Sequence, residues 1–292
     1  MSSLPSIPKL IIFGAGLIGG SFALALRAAG VVGEVVAFGR RPTSLRAAVE
    51  LGIIDRLGVN LATELADADL VLIATPVGQM PDVFASLAPC LGPNTLVTDA
   101  GSTKTDVVAA ARAALGEKIG QFVPAHPIAG AEKSGAEAAR PDLYQGKKVV
   151  VTALPENSDE TLDRVKAAWA SCGADVFELS PEQHDQVFAA VSHLPHLLSY
   201  ALVHELAIRE DAELLFSFAA SGFRDFTRIA GSHPEMWRDI CLANRSALLA
   251  ELRRYQAQLS GLEQALDANN GVALEEIFSL ARTVRQAWGE KA

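Results

Sequence analysis

A short apolar, β-branched run, Leu10-Ile11-Ile12-Phe13, empties directly into Gly14-Ala15-Gly16-Leu17-Ile18-Gly19-Gly20-Ser21, and the helix-compatible Phe22-Ala23-Leu24-Ala25-Leu26-Arg27 follows. A G-x-G-x-x-G string alone constrains little, but between a strand and a helix it demands a tight βα turn that a dinucleotide can use. Gly14 permits the turn, Gly16 lets the backbone approach a pyrophosphate, and Gly19 lets helix and strand pack closely. The start of the helix then offers unpaired N–H groups to an anion. Gly14, Gly16, Leu17, Ile18 and Gly19 are the expected cofactor-binding residues; the alternative is a Gly-rich turn with no ligand.

The chain has 292 residues, half of them hydrophobic, enough for a large core and for two ordinary domains. With 25 Lys plus Arg against 34 Asp plus Glu, the net charge of −9 argues against a nucleic-acid-binding face. Cys90, Cys172 and Cys241 are too scattered for a metal knuckle and too few for a disulfide framework, which points to a reducing compartment. No apolar run is expected to reach the ~18 residues of a membrane span, and Pro5, Pro8 and Lys9 interrupt the N-terminus where a signal peptide has its apolar core. The expectation is a soluble cytoplasmic protein without membrane or nucleic-acid partners.

The second strand, Val35-Val36-Ala37-Phe38, runs into Gly39-Arg40-Arg41-Pro42-Thr43-Ser44. NAD-specific folds usually place an Asp or Glu here for the ribose 2′-OH, whereas a nearby Arg accommodates a 2′-phosphate. This turn has no acid, two Arg and two hydroxyls, so Arg40, Arg41 and Ser44 are expected to favour NADP, with NAD the alternative. Further buried strands are expected at Asp69–Pro76, Asn94–Asp99 and Gln121–His126, with Lys147–Thr152 and Ala174–Leu179 closing the same sheet.

Ligands of doubly wound sheets bind at the strands' carboxyl ends, where three loops lie. Thr75-Pro76 either simply ends its strand or walls a nicotinamide pocket. Ser102 and Thr103, in Gly101-Ser102-Thr103-Lys104, are candidate caps of a helix starting near Lys104. His126, just before Pro127 at a strand end, is a candidate proton acceptor for alcohol oxidation.

Beyond Pro181 strand signals vanish, which sets expected domains of 1–180 and 181–292. A helix from Glu182 is expected to kink at Pro195. His193 and His196 share a helical face, but without accompanying Cys or carboxylates no metal site is expected. After a helical Leu214–Ala219, a polar break over 220–232 places Arg224 and Arg228 for carboxylate recognition. Leu242, Leu249, Leu252, Leu259 and Leu266 recur at near-heptad spacing, with another amphipathic helix over Ala273–Trp288, so a homodimer through the helical half is expected.

Taken together, Gly14–Ser21, Asp99-Ala100-Gly101-Ser102-Thr103-Lys104, His126-Pro127-Ile128-Ala129-Gly130, His184-Asp185, Ser192-His193-Leu194-Pro195-His196 and Ser221–Ala230 resemble the prephenate/arogenate dehydrogenases of tyrosine biosynthesis, in family order over nearly the whole chain. The resemblance implies an α/β dinucleotide-binding (Rossmann-type) domain, an all-α dimerisation domain and a site at their junction. It also implies oxidative decarboxylation of a cyclohexadienol, prephenate or arogenate, with hydride passing to a nicotinamide cofactor. By the same resemblance, His126 is the base or hydrogen-bond partner of the ring hydroxyl, positioned with Ser102. Arg228 is the carboxylate clamp with Arg224 as the other candidate, His193 and His196 line the substrate pocket, and Trp237 stands at its dimer-facing edge. The competing classes are another β-hydroxyacid or imine-type oxidoreductase, which would usually carry Lys, Asp or Tyr where this chain has Ser192–His196, and a non-catalytic dinucleotide sensor.

Overall fold

Strand and helix alternate through the first part of the chain, and their hydrophobic faces dictate a sheet covered on both sides. In the computed structural model, which describes residues 6–40, 42–130, 133 and 135–289, these elements are β1 (Ile7–Phe13), α1 (Leu17–Ala28), β2 (Val32–Phe38), α2 (Pro42–Glu50), β3 (Arg56–Leu57), α3 (Leu61–Leu65), β4 (Leu70–Ile73), α4 (Met80–Leu87), β5 (Leu96–Asp99), α5 (Thr105–Leu115) and β6 (Phe122–Val123). The strands pair in parallel in the order β3-β2-β1-β4-β5-β6, a doubly wound arrangement whose strand order reverses between β1 and β4. The period-2 alternation of β1 sorts its side chains. Leu10 and Ile12 face Phe22, Leu26 and Trp169 on one side, and Ile11 and Phe13 face Met80, Phe84 and Val108 on the other.

The register aligns the strand ends. Phe13 pairs with Phe38 and Ile73, and Ile73 with Asp99, so the segments starting at Gly14, Gly39, Ala74 and Ala100 leave the sheet at one level. This carboxyl edge is where such sheets take ligands.

The sheet ends sooner than its sequence suggests. Pro124 divides the expected Gln121–His126 strand into β6 and a separate β7 (Ala125–Pro127), because proline lacks the N–H to continue a ladder. β7 pairs antiparallel with β8 (Lys148–Val151), His126 opposite Val150, and β8 pairs in parallel with β9 (Asp175–Glu178) after α6 (Asp159–Ser171). Residues 147–152 and 174–179 therefore do not close the main sheet; they build a second, three-stranded one.

From Pro181 onward the described residues are helical: α7 (Pro181–Phe188), a π-helical turn (Ala189–His193), α8 (Leu194–Ala207), α9 (Ala212–Ser217), α10 (Ser221–Thr227), a 3-10 turn (Arg228–Gly231), α11 (Pro234–Ala243), α12 (Arg245–Asp267) and α13 (Gly271–Gly289). Two expectations change here. Pro195 sits in the first turn of α8, and the missing N–H is absorbed by the preceding π-turn. The expected polar break over 220–232 is instead a short helix followed by a 3-10 turn. A third change concerns length and composition: the continuous run Pro181–Ala207 is long and apolar enough to cross a membrane by those measures. The sequence reading missed it because histidines and serines interrupt the run, and several of these bond within the chain.

Residues through Arg245 form one compact unit and those from Ser246 a second. In the second unit Leu249, Leu259, Leu266, Val272, Phe278, Leu280, Val284 and Trp288 are exposed.

The glycines of the first loop separate two kinds of constraint. Gly14 adopts φ +94°, where a Cβ would lie 2.6 Å from the Ala74 carbonyl oxygen, and a Cβ on Gly19 would overlap the Gly14 carbonyl. Gly16 faces open space, with nothing within 4 Å of its Cβ position. We expect Gly19→Ala to lose about 1 to 3 kcal/mol of stability through overpacking, and Gly16→Ala to stay within about 0.5 kcal/mol of the parent. Urea unfolding checks this, and equal losses would contradict the assignment.

Candidate active site

The β5–α5 loop is shaped by a charge that ought not to be buried. The Lys104 side chain is fully buried, and its ammonium donates to the Asp99 carboxylate and to the Ala125 carbonyl oxygen at 2.8 Å. Asp99 is equally buried, and it also accepts from Gly101 N at 2.7 Å and Ala125 N at 3.0 Å. A buried ion pair is tolerated when its remaining donors and acceptors are satisfied. These bonds fix Ser102, within the loop, relative to His126, which follows Ala125 on β7.

Neither Ser102 nor Thr103 caps α5, contrary to expectation. The cap comes from α7: Asp185 Oδ1 accepts from Lys104 N at 2.8 Å and Oδ2 from Thr105 N at 2.9 Å. A carboxylate at a helix N-terminus satisfies its orphan donors and opposes its dipole, so this cap is stronger than a hydroxyl. Asp185 Oδ1 also lies 2.8 Å from His184 Nδ1, and His184 Nε2 lies 2.8 Å from His126 Nδ1. Phe188 closes around both rings, with centroid separations of 4.9 Å to His126 and 4.5 Å to His184.

The remaining histidines stand alongside. Asn244 Nδ2 reaches the Asp185 carbonyl oxygen at 2.7 Å and His193 Nδ1 at 3.1 Å. Trp237 lies flat on His196 at 3.5 Å between ring centroids and edge-on to His193 at 6.1 Å. Within this chain Trp237 is buried, 8% exposed, in the apolar cluster with Ile240 and Met80. His196 Nδ1–H donates to the Ser192 carbonyl oxygen at 2.9 Å, and its ring feels the Arg228 charge. Arg228 opens the 3-10 turn packed on α8, and Arg224 is exposed on α10.

The structure thus gathers His126, Ser102, His193, His196, Trp237 and Arg228 around α7–α8 and the β5–α5 loop. Burial is the main cause that lowers the affinity of His126, His184, His193 and His196 for a proton, with neighbouring positive charge adding to it at His126. All four are therefore held neutral near pH 7.

Gly14, Gly16, Leu17, Ile18 and Gly19 lie at the β1–α1 turn, and Thr75 and Pro76 follow β4 across the point where strand order reverses. Three features fit a dinucleotide there. α1 begins at Gly16 with no side-chain cap and no acid in its first turn, Gly16 leaves open space, and the Thr75 hydroxyl is buried without a partner. Arg40 and Ser44 are exposed beyond β2, while Arg41 lies outside the described residues.

Two family models divide the chain between them. The prephenate dehydrogenase nucleotide-binding domain matches residues 22–178, and the prephenate dehydrogenase dimerization domain matches residues 180–280. The chain belongs to the prephenate dehydrogenase family. A prephenate dehydrogenase of Bacillus subtilis (strain 168) is 34% identical over 278 residues, which cover 94% of this chain and 75% of that protein. A cyclohexadienyl dehydrogenase of Zymomonas mobilis is 32% identical over 280 residues, 95% of each chain. The crystal structure of prephenate dehydrogenase from A. aeolicus in complex with hydroxyphenyl propionate and NAD+ matches with a TM-score of 0.91 and 36% identity, covering 98% of this chain and 99% of that one. Asp99, Lys104 and Asp185 stood in the quoted motifs without a role and Asn244 was not singled out, yet hydrogen bonds tie all four into this cluster. The clue was an acid and a lysine five positions apart in one loop, and an acid directly after His184.

His193 ties acid stability to this cluster. Burial first, against the opposing pull of Asp185, holds its pKa down to about 4 from 6.5. Above pH 6.5 neither folded nor unfolded chain is protonated there, and between 6.5 and 4 only the unfolded chain takes the proton. Stability therefore falls on acidification by roughly 3 kcal/mol from His193 alone, with His126, His184 and His196 acting in the same direction. Urea midpoints at pH 7 and 4.5 should show this loss, and His193→Asn should show a shallower one. Equal slopes in the two proteins would contradict it.

Proposed function

We propose that this chain oxidises prephenate, arogenate or both, with loss of carbon dioxide, in tyrosine biosynthesis, and that it prefers NADP. The observation that carries the reading is His126. It is a neutral, largely buried histidine beside the Ser102 loop, and that loop leaves the same sheet edge as the Gly14–Gly19 turn.

The chemistry asks the protein to orient three groups. The hydroxyl-bearing ring carbon loses hydride, the hydroxyl loses its proton, and the bond to the ring carboxylate breaks. The electron pair of that bond aromatises the ring as carbon dioxide leaves, and the phenolate so formed takes the proton back from His126 and restores its neutral ring, so positioning is the main task. A bound nicotinamide dinucleotide supplies the hydride acceptor. His126 takes the hydroxyl proton at a ring nitrogen, and Ser102 holds the hydroxyl toward it. Arg228 receives a substrate carboxylate, with Arg224 nearby to share it. His193, His196 and Trp237 wall the substrate pocket. Gly14, Gly16, Leu17, Ile18, Gly19, Thr75 and Pro76 would hold the dinucleotide. Arg40, Arg41 and Ser44 would read a 2′-phosphate.

We assign residues 1–180 to the dinucleotide and 181–292 to the helical substrate and dimer part of a cytoplasmic homodimer. The exposed leucines of α12 and the exposed apolar residues of α13 support a partner chain.

His126→Asn should lower kcat about 10² or more while the dissociation constant for the dinucleotide stays unchanged. Formation of reduced nicotinamide with prephenate and with arogenate measures this, and near-normal turnover would remove His126 from the mechanism. Arg40→Ala should weaken NADP about tenfold, as loss of a charged hydrogen bond does, and leave NAD nearly unaffected. Equal losses for both cofactors would show that the turn does not read the 2′-phosphate.

A further inference from the structure

One histidine of the site is fully buried and has no role in the proposed reaction. His184 is enclosed between His126 and Asp185, and it joins them by bonds of 2.8 Å each. Each bond needs one proton, and the identities of the partners decide where those protons sit.

The assignment starts from Asp185. As a carboxylate it can only accept, and it already accepts Lys104 N and Thr105 N. Hydrogen bonds from His184 and these backbone groups oppose its burial and leave its pKa below the ordinary value, so it stays ionised. His184 Nδ1 must therefore carry the proton of the His184–Asp185 bond. Burial, with the Lys104 charge adding to it, keeps His184 neutral, so its Nε2 has only a lone pair. The 2.8 Å bond to His126 then requires His126 Nδ1 to be the donor. What remains on a neutral His126 is a lone pair at Nε2.

We propose that His184 and Asp185 are positioning residues that hold His126 in its Nδ1–H tautomer, so that Nε2 is the acceptor presented to the substrate hydroxyl. This rests on His126 being the base. The groups that act on His126 are His184 and Phe188 on α7, Lys104 from the β5–α5 loop and His193 from the π-turn, with Asp185 behind His184 and Asp99 paired to Lys104. No proton travels along the three residues: Asp185 stays a carboxylate and His184 stays neutral throughout. When His126 Nε2 takes the hydroxyl proton, the resulting imidazolium still donates Nδ1–H to His184, and the Asp185 charge lies one ring away to stabilise it.

The same carboxylate couples this tautomer to the loop carrying Ser102, because Asp185 also fixes the first N–H groups of α5. The hydroxyl-orienting group and the base are thereby referred to one atom pair.

Three variants separate this from a packing role. His184→Phe keeps a ring against Phe188 but offers no acceptor, and His184→Gln restores a carbonyl acceptor. Asp185→Asn places an NH2 that can turn His184 to its Nε2–H form, which in turn forces His126 to carry its proton on Nε2. We expect kcat to fall by about 10² to 10⁴ in His184→Phe and Asp185→Asn, the scale of a wrongly set tautomer. KM should stay within about threefold, and His184→Gln should recover part of the loss. Long-range 15N–1H spectra of the full-length protein with labelled histidine, assigned against His126→Asn, should show His126 as Nδ1–H at pH 8. The signal should move toward Nε2–H in Asp185→Asn.

The proposal is overturned by wild-type His126 in the Nε2–H form, by a protonated His184 at pH 8, or by kcat within about threefold of wild type in His184→Phe. A loss that appears equally in KM and in thermal stability, with no change in tautomer, would also overturn it by making the role structural. Should a variant fail to fold, the wild-type spectrum still decides. If the wild type turns over neither prephenate nor arogenate, the functional reading fails, while the spectra still judge the tautomer.

Discussion

The site depends on placing a lysine ammonium at a fully buried position. Lys104 and Asp99 are both fully buried, and the Gly101 and Ala125 backbone groups add hydrogen bonds to the pair. Replacing such a pair by apolar residues of similar volume is often neutral or stabilising, so stability alone does not explain it. Its geometry does. The ammonium and carboxylate bind β5, the turn after it and the first residue of β7, three segments whose backbone would otherwise meet only through short ladders. β6 contributes just two residues to the main sheet, and β7 just three to the other. Where β-pairing is this brief, a directional charge pair sets the position of His126 more firmly than the strands can.

Asp185 repeats the device across elements distant in sequence. One carboxylate caps α5, orients His184 and, through its own backbone carbonyl, receives the Asn244 amide. Asn244 in turn donates to His193 Nδ1, which leaves the proton of a neutral His193 on Nε2. Two histidines of the site thus have their tautomers set from the same residue, one through its side chain and one through its main chain. Burial of these rings costs proton affinity and confers neutrality, so the acid sensitivity of the fold and the presence of an unprotonated His126 near pH 7 have one cause.

The parallel sheet was legible because its signals are local. Leu10–Phe13 before the glycine turn, the Leu70–Ile73 run and Leu96–Asp99 each specify a buried strand within a few residues. The second sheet was not, because deciding whether Val149 joins the main sheet or pairs with Pro127 needs the change of sheet at Pro124, which spacing does not encode. The motif residues themselves were visible as residue types. Their partners were hidden for the same reason: Asp185 meets Lys104 N across 81 positions, and Asn244 meets His193 across 51. Ser102 and Thr103 looked like caps because hydroxyls often cap helices locally, and a carboxylate arriving from another helix outcompeted them.

The π-turn between α7 and α8 shows how the helical part meets these demands. Asp185 and His184 must reach back toward α5 and β7, whereas His193 and His196 must face Trp237 and the Arg228 turn. A straight α-helix advances about 100° per residue and would carry the two sets to directions fixed by their spacing alone. One π turn, closed by Leu194 N–H to the Ala189 carbonyl oxygen, inserts extra winding at the point where Pro195 would have broken the ladder anyway. The His196 ring then donates to the Ser192 carbonyl oxygen in that weakened stretch. That bond holds the His196 Nδ1 proton in place. A residue that would be a defect in a packing helix thus supplies the offset that lets one continuous run, Pro181–Ala207, serve both the base at one end and the pocket wall at the other.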